Sequence, residues 1–184
     1  MKRFLPGIFI VVCLVQWSIP ALMIHKREQT LRKGEVFLFK TAPVDPYDAF
    51  RGRYVSLGFD LNSITNDFGY THEVRNKQMY AALVRDDAGF AAITGLTEEP
   101  PAAPSIPVRI RYSHEGIIRL TLPFDRFYME EHLAPVAESV YRSASRSDAT
   151  NTFAIVRVYE HFPVLEDLII NGRPASEYAN EQNP

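Results

Sequence analysis

Hydrophobic and polar positions along this chain fall into two regimes. From Phe4 to Ile24, FLPGIFIVVCLVQWSIPALMI, 21 residues run without a charge. At about 1.5 Å per residue a helix of that length covers roughly 30 Å, the thickness of a bilayer's hydrocarbon core, so the run predicts a membrane-spanning helix. Gln16 and Ser18 are tolerated there, and Trp17 with His25, Lys26 and Arg27 reads as an interfacial anchor. Pro6 falls near the start of the helix, where its missing N–H costs little, and Pro20 kinks or ends it. A cleaved signal peptide is the competing reading, with Lys2 and Arg3 as the charged leader. Its best cleavage candidate, Ile19-Pro20-Ala21, puts proline beside the scissile position and continues into Leu22-Met23-Ile24, which argues against it. Lys2 and Arg3 on one flank and Lys26, Arg27, Arg32 and Lys33 on the other leave the orientation open on charge alone.

After the polar stalk His25 to Glu35, expected to extend the helix as far as Gly34, the period changes to two. Val36 to Thr41 and Tyr54 to Leu61 are rich in branched and aromatic residues, with Val55, Leu57, Phe59 and Leu61 at alternate positions. Such alternation predicts strands with one buried face. APVDPYDAFRG between them has the Pro, Asp and Gly of a loop, and residues 62 to 78 read as a long surface connection or a short helix. Two hairpins follow: Met79 to Arg85 with Phe90 to Thr94 around Asp86-Asp87-Ala88-Gly89, and Val108 to Tyr112 with Ile117 to Leu122 around Ser113-His114-Glu115-Gly116. Polar turns that end in glycine suit a left-handed closing residue. Pro135 marks the start of a helix through PVAESVYRS, with Val136 and Val140 one turn apart. Thr152 to Tyr159 and Val164 to Ile170 form a last pair, closed by Asn171-Gly172. The expected fold class is mainly β, an antiparallel sheet, sandwich or open barrel with one short helix packed on it, plus the N-terminal transmembrane helix. The chain divides into an anchor and stalk (1–33), a β-rich domain (34–174) and a flexible tail (175–184).

Charge narrows the partners. Residues 34 to 184 hold 14 Lys and Arg against 21 Asp and Glu, about −7, whereas residues 1 to 33 hold six basic residues and one acidic. An acidic domain disfavours nucleic acid, and the expected contacts are the bilayer through Phe4 to Ile24 and other proteins. Cys13, inside the apolar run, is the only cysteine. An intramolecular disulfide and a cysteine-based metal site are therefore excluded, which is compatible with an exported domain.

Catalytic signatures are scarce. His25, His72, His114, His132 and His161 show no metal spacing, and GxSxG, P-loop and GxGxxG motifs are absent. A membrane signal peptidase would need a serine near the membrane and a buried lysine, but Ser18 lies inside the apolar run and Lys40 and Lys77 have no supporting motif. No metal or cofactor is expected. Arg126-Phe127-Tyr128-Met129-Glu130-Glu131-His132 crowds an arginine, a phenol, two carboxylates and an imidazole into seven residues. A Glu and a His there can trade a proton while Arg126 holds an anion. The plainer account has Phe127 and Met129 facing the core and the charges solvated or paired at a helix entrance.

AFRGRYVSLGF, residues 49 to 59, carries a resemblance. The stretch is similar to the motif that names the GDYXXLXY protein family, read here as Gly52-Arg53-Tyr54-Val55-Ser56-Leu57-Gly58-Phe59. TAPVDPYDAFRG upstream, RFYMEE with Glu138, and VLEDLIINGRP resemble other family segments. Arg53 stands where the family has an acid and Phe59 where it has the final tyrosine, so a role for that carboxylate is not carried over. The resemblance implies a bacterial single-pass protein of the inner membrane with its C-terminal domain outside the cytoplasm. Its activity in the family is uncharacterised, and members are often encoded beside polytopic membrane proteins, which implies a partner of that kind.

Three readings of function follow. The first is a noncatalytic accessory module that contacts a polytopic membrane protein, with Arg51, Gly52, Tyr54, Arg126, Tyr128 and Glu131 as candidate binding residues and no catalytic ones. The second is a small-ligand site in the mouth of a barrel lined by Tyr54, Phe59 and Tyr112. The third is a hydrolase using Tyr128, Glu130, Glu131 and His132, with Asp45, Asp48 or Glu138 converging on them.

Overall fold

The computed structural model describes residues 5–42, 54–65, 75–114, 116–130, 134–147 and 151–180. In chain order these form helix α1 (Leu5–Lys33) and strands β1 (Glu35–Ala42), β2 (Tyr54–Ser56), β3 (Gly58–Phe59) and β4 (Ser63–Thr65). They continue as β5 (Gln78–Arg85), β6 (Ala91–Thr97), β7 (Ser105–His114), β8 (Ile117–Thr121), β9 (Arg126–Tyr128) and helix α2 (Ala134–Ser147). The last elements are β10 (Phe153–Tyr159), β11 (Phe162–Ile170), β12 (Arg173–Pro174) and helix α3 (Ala175–Asn180). Strands dominate, as their alternation requires.

The ladders are antiparallel and fall into three sheets, ordered β12-β11-β10-β1-β3, β4-β8-β7-β5-β6 and the two-stranded β2-β9. Both large sheets turn their apolar faces to one core: Phe37, Phe39, Val156, Leu168 and Ile170 from the first meet Met79, Ile106, Val108, Ile110 and Ile118 from the second. Each of these side chains is removed from water, worth about 1.5–3 kcal/mol for a large aliphatic or aromatic group. Phe39, Phe59 and Phe124 form a cluster of edge-on rings with centroids 5.0 to 6.0 Å apart, the geometry ring quadrupoles favour.

Both hairpins form, with turns that explain themselves. Asp86 Oδ1 accepts from the Ala88 and Phe90 N–H groups, and Gly89 supplies a φ of 84°. Around Gly116, with φ 75°, the strands run closer to the tip than the polar composition suggests, because Ser113 and His114 still pair with Ile118 and Ile117. A bulge near Arg111 leaves Arg111 and Tyr112 both exposed and turns Ser113 inward.

Three expectations change. Tyr54 to Leu61 is not one strand: Tyr54–Ser56 pairs with β9, Gly58–Phe59 pairs with β1, and Asp60–Asn62 is a 3-10 turn. The alternation survives, with Val55, Leu57 and Phe59 all buried, because the chain changes partner without changing face. The polar stalk extends the helix to Lys33 as expected, and it also packs on the β domain. The last turns of α1 pack on β10 and β11, Thr30 is wholly buried, and Lys26 and Lys33 lie over the rings of Phe162 and Tyr159. On α2 the buried stripe is Ala134, Ala137, Tyr141 and Ala144, with Val140 at its margin, so small residues let the helix approach the sheet closely. Lastly, the segment expected as a flexible tail begins with α3, where Ala175 is buried and the Tyr178 hydroxyl donates to the Ile170 carbonyl at 2.9 Å.

Helix α1 is apolar on every side from Phe9 to Ile24. Its large side chains there are exposed, Trp17 at 78%. It is long and apolar enough to cross a membrane. Gly34 ends it, donating its N–H to the Thr30 carbonyl at 2.8 Å, and the chain turns at once into β1.

Candidate functional site

The site is built on the ribbon β2-β9, whose register sets Tyr54 opposite Tyr128, Val55 opposite Phe127 and Ser56 opposite Arg126. Strand alternation sends Val55 and Phe127 toward the core and leaves Tyr54, Arg126 and Tyr128 on the other face. The Tyr54 and Tyr128 rings are 5.5 Å apart, and the Arg126 guanidinium lies 5.0 Å from the Tyr54 ring centre. Tyr128 is 67% exposed. A hydrogen bond with the Tyr128 phenol and then the Asp125 carboxylate, 3.5 Å away, hold the Arg126 guanidinium above its ordinary value. The result is a fixed cation set among aromatic faces. Such a surface binds by cation–π contact and hydrogen bonding, and aromatic and arginine side chains are the residues that most often anchor protein interfaces.

A groove of about 740 Å³ borders the ribbon. Met23, Ile24, Lys26 and Arg27 of α1 form one wall, residues 123–128 the second and residues 162–166 of β11 the third. Lys26 Nζ sits 4.5 Å above the Phe162 ring at its edge, and Glu166 in the third wall is tied to Arg157 at 2.7 Å.

Of the sequence candidates, Tyr54, Arg126 and Tyr128 come together although Tyr54 and Arg126 stand far apart in the chain. Arg51, Gly52, Glu131, Asp45, Asp48 and His132 lie outside the described residues. Glu138 is paired with Arg142 along α2 at 3.0 Å. The described residues hold no cluster of three His, Cys, Asp or Glu suited to a metal. The second trio disperses: Phe59 is a core residue in the ring cluster, and Tyr112 is exposed on β7, in a different sheet from Tyr54.

Sequence reasoning missed the groove, whose three walls come from distant segments. The signal for it was the pair Lys26-Arg27 directly after the apolar run. It also missed a bond between the Ser105 hydroxyl and His161 Nδ1 at 2.7 Å. Ser105 is wholly buried, out of reach of a substrate. Glu160 and His161, at φ 46° and 62°, form the two-residue turn between β10 and β11, so the bond fastens that turn to β7.

A family model described as the GDYXXLXY protein matches residues 16–165. The chain belongs to the GDYXXLXY family. The match starts within α1 and ends in β11, so the second half of α1 and most of the β domain fall inside it. Comparisons with curated proteins and with solved structures each found no match. In this GDYXXLXY domain the motif marks the point where the chain changes sheets. Tyr54 joins the β2-β9 ribbon, Leu57 is buried with its N–H donating to the Asp125 carbonyl at 2.9 Å, and Phe59 enters the ring cluster.

Proposed function

We propose that this GDYXXLXY protein is a single-pass protein of the bacterial inner membrane, held by α1, whose β domain lies outside the cytoplasm. It acts as a noncatalytic accessory module for a polytopic membrane protein. The observation that carries this reading is the cluster of exposed Arg126 and Tyr128 with half-buried Tyr54, beside the part of α1 where the apolar run ends. A ribbon in that position meets a neighbour embedded in the same bilayer, and its aromatic and guanidinium groups form the centre of a contact with a polar rim. Membership of the family supports the partner class.

The test is affinity capture of the tagged full-length protein from mildly solubilised native membranes, beside Tyr54→Ala, Tyr128→Ala and Arg126→Ala. A polytopic protein recovered in constant ratio with wild type is lost or reduced at least tenfold with Tyr128→Ala or Arg126→Ala, the effect of about 1.4 kcal/mol or more at an interface anchor. Equal recovery with all three folded variants removes the ribbon from the interface. Recovery of the wild-type protein alone removes the accessory reading.

A further inference from the structure

The groove between α1, β9 and β11 supports an inference about lipid, which rests on reading α1 as a membrane span and not on the polytopic partner. We propose that it holds the headgroup and glycerol region of an anionic phospholipid drawn laterally from the adjacent leaflet.

Place is the first argument. Met23 and Ile24 close the uncharged run and also line the groove, so a lipid whose chains lie along α1 reaches the groove without leaving the leaflet. Charge is the second. Lys26 and Arg27, within the next turn of helix, face the groove from one side and Arg126 from another. The acidic groups in its walls are already engaged, Glu166 with Arg157 at 2.7 Å and Asp125 with Arg126 at 3.5 Å. Beyond these two pairs, Lys26 and Arg27 supply the groove's excess positive charge, on a chain whose residues 34 to 184 are acidic. A basic pocket at headgroup level is the arrangement that selects anionic lipid.

Chemistry of the walls is the third. Phe124, Phe127, Phe162 and Val164 give the groove an apolar lining next to its cations, which suits ester and glycerol carbons under a phosphate and offers nothing to a free phosphate ion. Lys26 already lies over Phe162, so its ammonium is held at the rim. At about 740 Å³ the space falls within the roughly 300–1,000 Å³ of small-molecule sites.

The test uses the full-length chain in bilayer nanodiscs of phosphatidylcholine containing a minority of phosphatidylglycerol. Resistance to alkaline extraction from vesicles of the same lipids is read first, because its failure removes the membrane-span reading itself. Native mass spectrometry then gives the phosphatidylglycerol preference of the lipid retained on the protein. Wild type retains phosphatidylglycerol above its bulk fraction. The double variant Lys26→Gln/Arg27→Gln lowers that preference about tenfold, while Arg32→Gln/Lys33→Gln, which removes the same charge from the same helix outside the groove, leaves it unchanged. Equal loss in both double variants overturns the proposal in favour of diffuse surface charge. Retention of both lipids in the bulk ratio by wild type overturns it outright, as does a groove filled by a stoichiometric protein instead of lipid.

Discussion

Tyr141 shows what one side chain does for the site. It projects from α2 into the core, accepts from the Gly58 N–H at 3.4 Å and donates to the Ala42 carbonyl at 3.3 Å. One phenol therefore joins the helix to the end of β1 and to the strand that follows the ribbon. Tyr141→Phe keeps the ring and removes both bonds, leaving two part-buried backbone groups less satisfied, and should cost about 1 kcal/mol. Thermal unfolding of the detergent-solubilised full chain checks it, and an unchanged midpoint would show the hydroxyl to be idle. Asp167 gives a pH signature. Burial pushes its carboxyl above the usual range, Glu166 and Glu177 add repulsion, and the hydrogen bond from the Leu168 N–H opposes both. The folded chain then holds this proton more tightly than the unfolded one. Stability from that proton is present below the unfolded value of about 3.9 and is lost as pH rises through the higher folded value. Asp167→Asn keeps an acceptor for Leu168 without the charge. Its melting temperature should exceed wild type at pH 7 and converge with it toward pH 3.

Elements rather than residues decide what could be read from the chain. Strands β1, β5, β7, β8, β10 and β11 follow from alternation and their turns from glycine and aspartate, because both signals are local. The pairing of β2 with β9 joins Tyr54 to Tyr128 across more than seventy positions, and local pattern carries no information on which strand a strand meets. For the same reason Tyr54, Arg126 and Tyr128 could be singled out one by one while their convergence could not. The break at Leu57 was hidden by a periodicity that a change of partner leaves intact. The junction of α1 with β1 at Gly34 was legible in the change of period, but the close contacts that require glycine there were not. A Cβ on Gly34 would collide with the Thr30 carbonyl and press on the Arg157 Cβ at 3.0 Å. Gly34→Ala should therefore cost on the order of 2 kcal/mol and loosen the packing of α1 on β10 and β11. Hydrogen exchange across residues 26–33 reads this directly, and unchanged protection there would show that the corner tolerates a side chain.

At the scale of the whole molecule, helix α1, the corner and the sheet it packs on form one continuous structure. Helix α1 runs without interruption from the apolar segment into the packed turns that hold Thr30, and Gly34 leaves no length of loose chain before the sheet. Ten residues separate Ile24 from Gly34, so the corner stands about 15 Å above the end of the apolar run. Each helical residue also turns the axis by about 100°, which makes the spacing a bearing as well as a height. In a bilayer the ribbon points along one compass direction fixed by the helix that carries it. On the proposed membrane-spanning reading, whatever grips one flank of α1 also chooses which neighbour the tyrosines face, and a rotation of that helix sweeps the domain like a vane on its mast.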